Sequence, residues 1–215
     1  MQTKTLTRIL LVDDHTIVRD GLKQILSKHF VQATFGEARD SGEAITAIEN
    51  AFWDLILLDI TLPGQSGLEV LKEITSRRPG AKVLVLTMHP EEQYAARVLK
   101  AGASGYLTKE TASEEVINAV TTIQAGGKYA SPAFSQTLLS TLANPTPKAA
   151  HEMLSDREYQ VLRMLASGKS AKEIGFDLNL SVKTISTYRT RVLQKLTLKT
   201  NADIIRYAMR EKLVE

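Results

Sequence analysis

The sequence predicts two domains: an α/β doubly wound domain built on a five-stranded parallel sheet, then a small all-α domain of four helices. Three observations carry this. From residue 8 to residue 127, five short apolar runs alternate with five amphipathic stretches, and that rhythm produces a parallel sheet with helices on both faces. The first, third and fourth runs are continuously apolar rather than alternating, as strands buried on both faces are. Beyond "NPTPKAA" (144–150) no strand-like stretch remains, and the paired prolines there stop any helix.

The elements follow in order. "RILLV" (8–12) is a strand, and "IVRDGLKQILSK" (17–28) has apolar residues at 17, 18, 22, 25 and 26, a helical stripe. "VQATFGEA" (31–38) is a weaker strand, and "SGEAITAIEN" (41–50) a helix with Ser41 as N-cap. "LILLD" (55–59) and "KVLVLT" (82–87) are strands on either side of the helix "GLEVLKEITSRR" (67–78). "EEQYAARVLKAG" (91–102) is a helix ended by Gly102. The strand "GYLTK" (105–109) leads to the helix "SEEVINAVTTIQAGG" (113–127), capped by Ser113 and stopped by its glycine pair. The first domain is thus expected at 6–127, a linker at 128–150 with room for a short helix at 133–142, and the second domain at 151–215.

The second domain opens with a capping box, Ser155 followed three residues later by Glu158, in a helix ended by Gly168. A second Ser-x-x-Glu starts "SAKEIGFDLN" (170–179), Ser181 starts "SVKTISTYRTRVLQKL" (181–196), and "NADIIRYAMREKL" (201–213) is the fourth helix.

Composition narrows the class. Hydrophobic residues make up 43% and charged residues 24% of the 215, ordinary for a soluble globular protein. The chain has no cysteine, which excludes disulfides and thiolate metal sites. "MQTKTLTR" lacks the apolar core of a secretion signal, and no apolar run approaches the ~20 residues of a membrane span. A cytoplasmic protein with no membrane partner is expected. Net charge is −3 over residues 1–124, +2 over 125–150 and +4 over 151–215, so the two domains are expected to meet different partners.

In an open parallel sheet ligands bind beyond the carboxyl ends of the strands, where the strand order reverses. The polar residues at those ends are Asp13 and Asp14, Asp59, Thr87 and Lys109. In the order 2-1-3-4-5 the first and third strands are neighbours, and three carboxylates converge with a hydroxyl and an ammonium. Clustered carboxylates call for a hard cation, and oxygen ligands favour Mg²⁺. A carboxylate is also a nucleophile able to form an aspartyl phosphate. Together these parts describe an acceptor for a transferred phosphoryl group. His15 and His89 read as polar residues without assigned chemistry.

The helices at 170–179 and 181–196 are joined by a bend of almost no length, a helix-turn-helix whose second helix enters the DNA major groove. From 181 to 199 that region carries Lys183, Arg189, Arg191, Lys195 and Lys199 and no acid. Val182, Ile185, Val192, Leu193 and Leu196 form the expected buried stripe. Lys183, Thr184, Ser186, Thr187, Thr190, Arg191 and Lys195 are the expected DNA-contacting residues, with Gln194 on the same outward face.

"ILLVDDH", "DLILLDITLPGQSGLEVL", "VLVLTMH" and "KAGASGYLTKE" resemble the receiver domain of two-component response regulators, a flavodoxin-like fold. "LSDREYQVLRMLASGKSAKEIGFDLNLSVKTISTYRTRVLQKL" resembles a LuxR-type helix-turn-helix, and both halves together resemble the NarL/FixJ subfamily. The resemblance implies phosphorylation of Asp59 by a histidine kinase. It also implies Mg²⁺ on Asp13, Asp14, Asp59 and the Thr61 main-chain carbonyl, Thr87 and Tyr106 as a switch pair, and Lys109 as phosphate anchor. A homodimer on promoter DNA is implied, with RNA polymerase a further candidate partner. Two other functions stay open at this point: a regulator whose receiver serves only for dimerisation, and an aspartyl-phosphate hydrolase. The chain departs from the family at Glu110, where many receivers have proline, at Ala171, where Asn is frequent, and at Gly175, where Ala is frequent.

Overall fold

The computed structural model describes residues 8–62, 65–88, 91–132, 134–136 and 149–214. The short helix expected at 133–142 falls largely outside them, as do His89 and residues 144–148 of the linker. The chain divides into two compact units, Met1–Asn144 and Pro145–Glu215.

The first unit holds β1 (Arg8–Val12), α1 (Thr16–His29), β2 (Thr34–Ala38), α2 (Ser41–Asn50), β3 (Leu55–Asp59), α3 (Gly67–Arg77), β4 (Val83–Thr87), α4 (Glu91–Lys100), β5 (Gly105–Thr108) and α5 (Ala112–Gln124). The five strands are all parallel, in the order β2-β1-β3-β4-β5. The continuously apolar strands are the buried ones: every residue of β3 and β4, and all of β1 after Arg8. Alternate side chains point to opposite faces. Ile9, Leu11, Leu55, Leu57, Leu84 and Leu86 form one core with Leu22 and Leu26 of α1 and Val116, Ala119, Val120 and Ile123 of α5. Their neighbours Leu10, Val12, Ile56, Leu58, Val83 and Val85 are equally buried on the other side, where α2 and α3 pack together.

Two helix starts differ from expectation. Asp40, not Ser41, caps α2, its carboxylate accepting from the Glu43 amide at 2.8 Å. Helix α5 begins at Ala112 with Thr111 as N-cap and no side-chain cap bond, so Ser113 lies inside the helix. Both expectations chose a serine one or two residues past the true N-cap.

The second unit comprises a 3₁₀ turn (Ala150–Met153), α6 (Asp156–Ala166), α7 (Ala171–Asp177), α8 (Val182–Lys195) and α9 (Asn201–Arg210). Capping boxes open α6, α7 and α9, and Ser181 caps α8. The box of α9, Thr200 with Asp203, shares the logic of the two expected ones. Helix α6 packs against both α8 and α9, burying Tyr159, Val161, Leu162, Ile185, Val192 and Ile204.

Gly175 has a steric reason. The Leu180 amide donates to its carbonyl at 2.8 Å, and a Cβ there would lie 2.7 Å from the Leu180 carbonyl oxygen. Asn179 follows with φ +52°, a conformation Asn tolerates better than most residues. Alanine favours a helix by about 1 kcal/mol, but a fixed backbone oxygen cannot move away as a flexible side chain can. Gly175→Ala is therefore expected to destabilise the second unit, by about 1–2 kcal/mol as overpacking does. Thermal unfolding checks this, and an unchanged or raised midpoint contradicts it.

Candidate functional site: an acidic cleft and an exposed basic helix

Parallel pairing brings the ends of β1, β3, β4 and β5 to one edge of the sheet. Val12 pairs with Leu58, Asp59 with Leu86, and Thr87 with Thr108. Asp13, Asp59 and Thr87 are buried there, each 2% exposed or less, while Asp14 stays at the surface with its side chain 35% exposed.

Lys109 organises the cleft. Its Nζ lies 2.7 Å from Asp59 Oδ2 and 2.7 Å from Asp13 Oδ2. Asp59 Oδ1 accepts from the Thr61 amide at 3.0 Å. Burial pushes the Asp59 carboxyl up to about 6, against the lowering effect of Lys109. The same two carboxylates hold the Lys109 ammonium above its ordinary value although burial works against it. The Lys109 amide donates to the Thr87 carbonyl at 2.8 Å, tying β5 to β4 at the cleft. Tyr106 is fully buried one strand further on, paired with Val85.

The donor set fits a hard divalent cation. Asp13, Asp14, His15 and Asp59 each offer an atom, all within 4.8 Å of one another. Three carboxylates face one ammonium, leaving an excess of about two negative charges, and carboxylate oxygen is what Mg²⁺ prefers. The Thr61 amide is engaged with Asp59, and its carbonyl, the expected metal ligand, belongs to the same residue beside the cleft.

His15, unassigned from the sequence, belongs to the cleft: its Nδ1 lies 2.7 Å from Asp14 Oδ1 and 3.1 Å from Asp13 Oδ1. The signal was adjacency alone, which does not distinguish a helix-start residue from a site residue. Arg19 is also buried beside the cleft, hidden in the sequence as a polar position in an amphipathic helix. A cavity of about 460 Å³ lies elsewhere, lined by Ile48, Phe52, Trp53 and Ile56. Its cationic groups are engaged by the protein: Arg77 with Glu49 and Glu73, Arg78 with the Ile48 carbonyl, and Lys82 with the Gln124 carbonyl.

In the second unit α8 presents the expected polar face. Lys183, Ser186, Thr187, Thr190, Arg191 and Gln194 are exposed, and Ile185, Val192 and Leu196 are buried beneath. Four positions differ in detail. Leu193, expected in the buried stripe, is half-buried. Val182, expected in the buried stripe, is 49% exposed because it starts the first turn, outside the packed seam. Thr184 is half-buried and part of the helix cap, its amide donating to Ser181 Oγ at 3.1 Å. Lys195 donates to the buried Glu158 at 2.6 Å and helps hold that carboxyl below its usual range, so its first partner is the α6 capping box.

The two units have separate family matches. Residues 9–121 match the response regulator receiver domain, and residues 152–208 match the bacterial regulatory proteins of the luxR family. The chain is 34% identical to the oxygen regulatory protein NreC of Staphylococcus carnosus, over 97% of this chain and 99% of that one. It is 35% identical to the response regulator UvrY of Escherichia coli, covering 95% and 94%. It superposes with a TM-score of 0.59 on RcsB from Salmonella enterica serovar Typhimurium bound to the promoter P1flhDC in the presence of phosphomimetic BeF3⁻. That match has 26% identity and covers 95% and 98% of the two chains.

Proposed function

The chain belongs to the DNA-binding response regulators of two-component systems, and on that premise we propose that Asp59 accepts a phosphoryl group from a histidine kinase and thereby controls promoter binding by α8. The observation that carries this is Lys109 Nζ, 2.7 Å from both Asp59 and Asp13 at the carboxyl edge of the sheet.

The chemistry follows from these groups. An Asp59 carboxylate oxygen attacks phosphorus; a P–O bond forms as the P–N bond of the donor phosphohistidine breaks, the bonding pair stays on the ring nitrogen, and a proton taken up from solvent leaves the imidazole neutral. Lys109 faces the charge that arrives on the new phosphoryl oxygens, in a cleft too dry for water to screen it. The Thr61 amide, already bonded to Asp59 Oδ1, holds the carboxylate's rotation. Mg²⁺ held by Asp13, Asp14, Asp59 and the Thr61 carbonyl would neutralise charge between carboxylate and phosphate. The Thr87 hydroxyl then turns to the phosphoryl group, and Tyr106 repacks in the space it leaves. Two copies of α8 on a two-fold axis would read two half-sites of related sequence, with RNA polymerase as the protein partner on the promoter.

Acetyl phosphate with Mg²⁺ tests the acceptor chemistry directly. The protein should gain one phosphoryl mass that is labile to base, and chelation of the metal should abolish the gain. Labelling that persists in the chelator, or that maps outside Asp59, contradicts the proposal.

A further inference from the structure

We infer that Arg19 is a positioning residue for the acidic cleft, holding the β1–α1 turn at the point where Asp13 and Asp14 leave the sheet, with Glu37 fixing the arginine in turn. This inference rests on the metal-binding reading of the cleft.

Arg19 is 4% exposed, rare for an arginine, and its contacts account for the burial. Nη1 donates to the Asp13 carbonyl at 2.6 Å, Nη2 to Thr16 Oγ1 at 3.3 Å, and Nε to Glu37 Oε2 at 3.1 Å. Glu37 is bound on its other oxygen by Lys23 at 2.9 Å, and these two cations lower its carboxyl from the ordinary value. The guanidinium therefore bridges β2 and the start of α1, and its tip ends on the main chain of a cleft aspartate.

The Asp13 amide and the His15 amide are also held. The Asp13 amide donates to the Ala38 carbonyl at 3.1 Å, and the His15 amide donates to Asp13 Oδ1 at 2.8 Å. Among these supports, the Arg19 bond to the Asp13 carbonyl is the one supplied by a side chain from outside the turn. That carbonyl belongs to the peptide that carries Asp14, so its orientation sets where the Asp14 carboxylate points. Lysine keeps the charge but is a single point donor without the guanidinium fork, so it cannot bond the Asp13 carbonyl, Thr16 and Glu37 together.

Calorimetric titration of Mg²⁺ alone into the full-length protein tests this, with thermal unfolding measured in parallel. Groups that orient metal ligands cost about 10- to 100-fold in affinity when removed, so Arg19→Lys is expected to weaken Mg²⁺ binding about tenfold. Glu37→Gln, which leaves the guanidinium in place but loosens it, is expected to give a smaller loss in the same direction and keeps the test open if Arg19→Lys does not fold. A role confined to stability would lower the unfolding temperature and leave the Mg²⁺ constant within twofold in both variants, and that result overturns the inference. Failure of the unmodified protein to bind Mg²⁺ would instead overturn the reading of the cleft on which it rests.

Discussion

Asp59→Asn is expected to abolish phosphoryl labelling by acetyl phosphate and by a histidine kinase, and at the same time to make the receiver unit more stable. The loss is complete because the side-chain amide is not a nucleophile toward phosphorus. The gain follows from the cost of charging a buried acid. Asp59 is 2% exposed, and burial pushes its carboxyl from 3.8 to about 6 despite Lys109. The folded state therefore holds that proton more tightly than the unfolded chain does, and stability falls as the pH rises through the window from 3.8 to about 6. Above that window the unmodified protein carries the full penalty, on the order of 3 kcal/mol, and the Asn variant does not. The difference is expected to be largest in neutral and alkaline buffer and to vanish below the lower end of the window. Adding Mg²⁺ should stabilise the unmodified protein and close part of the gap. Denaturant melts across pH check this, and a variant less stable than its parent at neutral pH contradicts it.

The second large effect is expected at α8. Arg191 is exposed on the outward face, and on the proposed function it would meet a DNA phosphate. Arg191→Ala should weaken binding to all DNA sequences alike and reduce the salt slope by about one charge. Thr190 differs in kind. Its hydroxyl donates to the Ser186 carbonyl at 3.0 Å, as Thr187 does to Lys183. The proton is thus used inside the helix and the oxygen faces outward as an acceptor, suited to the amino groups of adenine or cytosine in the major groove. Thr190→Val keeps the shape and the methyl group and removes the acceptor. It should reduce specific affinity by about 1–3 kcal/mol while non-specific binding stays near its original value. Binding measured on a cognate site and on random duplex over a range of salt separates the two outcomes. Equal losses for Thr190→Val on both DNAs would place Thr190 among the backbone contacts.

Much of this was legible in the sequence because each layer pointed the same way. β3 was read at its observed bounds, since an unbroken apolar run between turn residues has few other uses, and the parallel sheet followed from the alternation. The cleft was legible because its residues stand at strand ends, where topology rather than sequence distance brings Asp13, Asp59 and Lys109 together. What escaped has physical causes. Asp40 and Ser41 are both good caps, and the choice between them rests on backbone angles that the sequence does not display. Arg19 is polar in a helix and so reads as solvent-facing; its burial depends on Glu37, a residue of a different element. Lys195 reads as a free cation until Glu158 is found beneath it. Gly175 looks like a weak point in a helix until the Leu180 carbonyl is seen to occupy the space a side chain would need.

Binding of the full-length protein to a selected promoter duplex, with and without beryllofluoride and Mg²⁺, is the measurement closest to the central claim. Coupling between sites of this kind is worth about 1–3 kcal/mol, so affinity should rise about tenfold or more when beryllofluoride occupies Asp59. Asp59→Asn should remove the rise and leave the basal affinity unchanged. Equal affinity in the two conditions, with beryllofluoride shown to be bound, would contradict the account and leave a receiver that does not govern the DNA-binding helix.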